Sequence, residues 1–119
     1  MPTFAVLTRL APEALQDPAA VERLGNEVSA KLKERCPEAK WVASYWVLGP
    51  CDYLDIYDVP DAEAASKVAL IIRSFGHATT ETWGLTPWSR YLEVAKSAAT
   101  PPRRRRGRPP GSKNKRPAA

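Results

Sequence analysis

The sequence predicts an α+β domain in which four strands and two helices follow one another as βαββαβ, with a separate basic tail behind it. Three observations predict this. Runs rich in β-branched and aromatic residues, at 4–10, 40–48, 53–59 and 77–85, alternate with two segments whose apolar residues recur at helical spacing. Capping and breaking residues stand where those helices should begin and end. Charge is divided: residues 1–100 hold 10 Lys/Arg against 13 Asp/Glu, while residues 101–119 hold 8 Lys/Arg and no acid, so the net +5 belongs to the tail.

Phe4–Leu10 is a short apolar run with β-branched residues, read as the first strand. Ala11–Gln16 is a connection or a single helical turn. Asp17-Pro18 then starts a helix, because Asp caps free N–H groups and Pro fits the first helical position. Val21, Leu24, Val28 and Leu32 form its apolar stripe, and Pro37 stops it near Arg35. Lys40–Leu48 is rich in β-formers, Gly49-Pro50-Cys51-Asp52 is a turn, and Tyr53–Val59 alternates; together they predict a hairpin. Pro60-Asp61 opens a second helix with Ala65, Val68, Ala69 and Ile72 inward, ended by Gly76. His77–Leu85 alternates as the last strand. Thr86-Pro87 caps a short helix carrying Trp88, Leu92 and Ala95.

With right-handed crossovers this order gives the ferredoxin-like arrangement, a four-stranded antiparallel sheet with both helices on one face. Helices need an apolar floor, so Leu54 and Ile56 are expected on the helix side, and Tyr53, Asp55 and Tyr57 on the open side. An open aromatic and polar face suits a pocket or a subunit contact.

Several stretches resemble a known family. "MPTFAVLTRL", "YWVLGPCDYLDIYDVPDAEAA" and "TTETWGLTP" look like the small bacterial GYD-domain proteins. The likeness lies in the Pro2-Thr3-Phe4 start, the Tyr45-Trp46 pair before the Leu48-Gly49-Pro50-Cys51-Asp52 turn, the Asp61–Ala65 helix opening and Thr80-Glu81-Thr82. It covers about residues 1–90. That family usually has Tyr just before the turn Asp, where this chain has Cys51. The resemblance implies a ferredoxin-like fold and a homodimer of the dimeric α/β-barrel layout, and it implies no settled chemistry.

Candidate pocket residues in the body are Tyr45, Trp46, Asp52 and Tyr53. Asp52 follows a Gly-Pro turn, where its first task is to accept hydrogen bonds from nearby backbone N–H groups. Tyr45 and Trp46 point to opposite faces, one toward the core and one toward a pocket. No catalytic set is assigned. Cys51 has Asp52 beside it, which raises rather than lowers a thiol pKa, and Cys36 and Cys51 are read as reduced thiols of a cytosolic protein. The single histidine, His77, has no ligand spacing around it, so no metal and no cofactor is expected. The longest apolar run, Val68–Ile72, is too short to span a membrane, and the N-terminus lacks the pattern of a signal peptide.

The tail reads "RRRRGRPPGSKNK" from Arg103 to Lys115 and resembles an AT-hook, a DNA-binding peptide. The narrow minor groove of A·T-rich DNA is strongly negative and floored with acceptors. Arg106 and Arg108 would lie along that floor, Gly107 would let the backbone approach, and Pro109 would hold the chain extended. Arg103, Arg104, Arg105, Lys113, Lys115 and Arg116 would meet phosphates. The expected organisation is therefore a domain at 1–96 and a disordered basic tail at 97–119. Two function classes follow: a nucleoid-associated or regulatory DNA-binding homodimer, bacterial and cytoplasmic, or a small-ligand binder or cofactor-free enzyme whose tail only tethers it to nucleic acid. A generic polycation is the plainer account of the tail.

Overall fold

The computed structural model describes residues 1–99. The AT-hook-like residues Arg103 to Arg116 lie outside the described residues. Strand β1 (Thr3–Leu10) leads through a single 3-10 turn, Pro12–Leu15, to helix α1 (Pro18–Arg35). Strands β2 (Lys40–Trp46) and β3 (Tyr53–Asp58), helix α2 (Ala62–Arg73), strand β4 (Ala78–Leu85) and helix α3 (Trp88–Ala99) follow. The sheet order is β2-β3-β1-β4 and every pair is antiparallel, so the ferredoxin-like order holds. The described chain falls into two compact units: Met1–Thr86 carries the sheet with α1 and α2, and a second unit beginning at Pro87 carries α3. No helix among the described residues is long and apolar enough to cross a membrane.

Both helix starts follow from their caps. Asp17 Oδ1 accepts from Ala19 N at 3.1 Å with Pro18 in the first turn, and Asp61 Oδ1 accepts from Ala64 N at 2.9 Å. Gly76 closes the α2 end with φ of 79°, in the left-handed region that glycine reaches without strain, and its N–H bonds the Arg73 carbonyl at 3.0 Å.

The faces of β3 are the reverse of the expectation. Val6 pairs with Asp55 and Phe4 with Tyr57, which places Tyr53, Asp55 and Tyr57 under the helices and Leu54 and Ile56 on the open face. The larger buried pair decides it. Tyr57 and Val59 are both fully buried in the core with Val6, Val68 and Ile72, and they remove more apolar area from water than Leu54 and Ile56 would. Phe4, Tyr57 and Trp41 then stack across three strands, at centroid distances of 6.2 and 5.0 Å.

The helices pack unequally. Helix α2 buries Ala64, Ala65, Val68 and Ile72, whereas only Leu32 of the 18 residues of α1 is buried. Strand β2 is an edge strand and carries a bulge, because Trp41 pairs with Tyr57 and Ala43, not Val42, pairs with Ile56.

Candidate functional site

The stripe of α1 borders a cavity instead of packing tightly. A space of about 670 Å³ lies between α1 and the helix-side face of the sheet, within the size range of small-molecule sites. Leu24, Val28 and Leu32 line it from α1, Ile72 from α2, and Leu10 and Trp41 from the sheet.

One polar cluster stands on the sheet side of this cavity. The bulge adds a residue between Trp41 and Ala43, so Trp41 and Ser44 share a face that strict alternation would deny them. The Trp41 indole Nε1 donates to Ser44 Oγ at 3.0 Å and to Asp55 Oδ1 at 3.2 Å. Burial pushes the Asp55 carboxyl above the usual carboxylate range, against the pull of its hydrogen bonds with Ser44 and Trp41. No ion pair among the described residues includes Asp55. Tyr53 also lines the cavity; burial raises its phenol, and the nearby charges of Asp55 and Asp52 raise it further. Beside them, the Tyr57 hydroxyl is buried without a hydrogen-bond partner and its pKa is pushed up to about 12, chiefly by burial.

The four pocket candidates of the sequence separate. Tyr53 is at the cavity, with Trp46 edge-on to it at 5.3 Å. Tyr45 pairs with Leu54 on the opposite face and is exposed. Neither Tyr45 nor Trp46 is core. Asp52 stands outside the cavity lining and extends the ladder: its N–H bonds the Thr8 carbonyl at 2.9 Å, and its Oδ2 accepts from Leu10 N at 2.7 Å. Both cysteines are free and buried. Cys36 lines the cavity with a thiol raised by burial and by Glu38, so its environment opposes the thiolate. His77 lines the cavity too, with Nδ1 3.2 Å from the Phe75 carbonyl. No group of three or more His, Cys, Asp or Glu among the described residues could hold a metal ion.

Asp55, Trp41 and Ser44 were missed as a set. Asp55 stood on the expected open face, and a bulge leaves no mark in an alternation pattern. The one available signal was Asp55 itself, an acid in the middle of a strand otherwise made of Tyr, Leu and Ile.

The opposite sheet face is apolar and aromatic. Ala5, Leu7, Leu54 and Ile56 form its centre, with exposed Tyr45 and Trp83 flanking them. Arg9, Lys40, Asp58 and Glu81 share that face by register, and Glu81 Oε1 accepts from Trp83 Nε1 at 3.0 Å. Helix α3, taken by itself, stacks Trp88 on Tyr91 at 5.6 Å and buries no residue.

Against known proteins, the family model described as the GYD domain matches residues 4–95. A relative from Thermus thermophilus, named "Glutamine synthetase and cystathionine beta-lyase binding protein", is 32% identical over 87 residues, which cover 73% of this chain and 90% of the relative.

Proposed function

The chain belongs to the GYD domain family, and from that membership and its open sheet face we propose that it is a small protein-binding module. The observation that carries this is the face built on Ala5, Leu7, Leu54 and Ile56 with Tyr45 and Trp83 exposed beside them. A contiguous apolar patch with aromatic anchors and a charged rim is what docking surfaces are made of. A second copy fits such a face through two-fold symmetry, which gives the homodimer expected from the sequence. Enzyme partners are supported by the name of the Thermus thermophilus relative. The glutamine synthetase and cystathionine β-lyase of the same cell are therefore the first partners to test.

The test is sedimentation of the chain alone and with each purified enzyme, for the wild type and for the Tyr45→Asp/Trp83→Asp double variant. Both side chains are exposed, so the fold should tolerate the change. Self-association or enzyme binding that is lost in the double variant supports the assignment. A wild-type chain that sediments as a monomer and binds neither enzyme overturns it.

A second reading rests on the charge division, +8 in residues 101–119 against −3 in residues 1–100. It gives the tail a DNA partner, with Arg106 and Arg108 in an A·T-rich minor groove and the remaining cations on phosphates. Replacing Arg108 by Ala should then narrow the difference between A·T-rich and G·C-rich duplexes. Replacing Lys115 should weaken both alike and reduce the log–log salt slope by about one. Equal binding of both duplexes by the intact chain across salt leaves a polycation only.

A further inference from the structure

We propose that the cavity beneath α1 is a binding site for an apolar molecule carrying one protonated amine, with Asp55 as the counter-charge. The site is independent of the docking face, since it lies on the other side of the sheet.

Three observations carry this. The first is the wall. Leu10, Leu24, Val28, Leu32 and Ile72 border an open space of about 670 Å³. Of these, Leu24 and Val28 are only half-buried, and an apolar ligand against them would recover burial energy that the empty space leaves unrealised.

The second is the charge. Buried carboxylates in folded proteins are paired with a cation. Asp55 is half-buried, and the groups acting on it are neutral hydrogen-bond donors, Trp41 Nε1 and Ser44. The cations and titratable groups of the surroundings are Lys33 at the exposed side of α1, His77 ahead of β4, Cys36 after α1, and Tyr53 on the same strand. None of them is ion-paired with Asp55. A ligand ammonium is the missing partner, and it would form a charge-assisted hydrogen bond in a partly dry site.

The third is Gly25. It sits inside α1, where glycine costs about 1 kcal/mol relative to alanine. Apart from the backbone of its own helix and its two chain neighbours, no atom lies within 4 Å of the position a Cβ would take, so close packing does not require glycine there. Gly25 lines the cavity, and the absent side chain leaves room for a ligand.

The test is calorimetric titration of the full chain with three molecules that share one body: 4-phenylbutylamine, 4-phenylbutanol and 4-phenylbutyrate. The amine should bind about ten-fold or more tightly than the alcohol, and the carboxylate most weakly. Asp55→Asn keeps the shape and removes the charge, and it should bring amine and alcohol within about two-fold of each other. Gly25→Phe should abolish binding of all three while circular dichroism shows the fold retained. Tyr45→Asp/Trp83→Asp should leave amine binding unchanged. Equal affinities in the wild type, a preference for the carboxylate, or an amine preference that survives Asp55→Asn each overturn the proposal.

Discussion

At the residue scale, two aspartates three positions apart do opposite things. Asp52 finishes a ladder. Beyond the Thr8–Tyr53 pair β3 has turned away, and the Asp52 carboxylate takes the Leu10 N–H that would otherwise lose its partner. Asp52→Ala should destabilise the fold by about 1–3 kcal/mol in urea unfolding, and Asp52→Asn, which keeps an acceptor oxygen, by clearly less. Asp55 works against stability. Burial holds its carboxyl above the ordinary value in the folded chain, so its contribution is fully present below the unfolded pKa and is lost as pH rises through the folded pKa. Asp55→Asn should therefore melt higher than the wild type at neutral pH, and the gap should close toward acid. Lys33, His77, Cys36, Tyr53 and Tyr57 surround the site in both proteins, so the difference between the two melting curves isolates Asp55. A variant that melts lower than the wild type at pH 7 would show that the carboxylate is a stabilising partner of Trp41.

At the element scale, deleting Val42 tests what the bulge does. Removing the extra residue leaves Trp41 and Ser44 two positions apart, so strict alternation along β2 then places both on the cavity face without a bulge. The expected readouts are a retained Trp41–Tyr57 stacking signal in near-ultraviolet circular dichroism and retained far-ultraviolet helix content, and loss of the stacking signal would show that Trp41 needs the bulge itself to reach Tyr57. The same bulge explains what the sequence hid. Helix starts at Asp17 and Asp61, the Gly76 stop, the hairpin and the strand order were legible because each rests on local chemistry: a cap, a left-handed turn, a period. The inward face of β3 was not, because Tyr53/Asp55/Tyr57 and Leu54/Ile56 both alternate, and the choice depends on how Tyr57 and Val59 pack with β1 and α2. Of the four pocket candidates, Tyr53 is at the cavity. The partners around it, Trp41, Ser44 and Asp55, come together only through a register shift and a long-range pairing.

At the scale of the whole molecule, stability and the tail should be separable. The buried core lies wholly within Met1–Thr86, from Ala5 to Ile72. Residues 101–119 hold no apolar side chain larger than alanine or proline, so they offer little to offset the entropy of ordering. Their removal should leave the thermal midpoint nearly unchanged while lowering affinity for duplex DNA. A large fall in melting temperature would mean that the tail packs on the acidic body. The two faces of the sheet should be separable as well, since Asp55→Asn and Tyr45→Asp/Trp83→Asp alter opposite sides of one layer.

The bulge has one more consequence, which concerns what the chain avoids. Strand β2 lies at the margin of the sheet with Trp41, Val42, Tyr45 and Trp46 exposed, a composition suited to open-ended stacking of copies into cross-β fibres. The extra residue at Val42 interrupts the row of outward N–H and C=O groups and twists the strand, so a neighbouring copy cannot continue the ladder in register. On this edge of the sheet, the irregularity that gathers Trp41, Ser44 and Asp55 also opposes edge-to-edge pairing, and deletion of Val42 should make concentrated solutions of the chain more prone to fibre formation, read by thioflavin fluorescence.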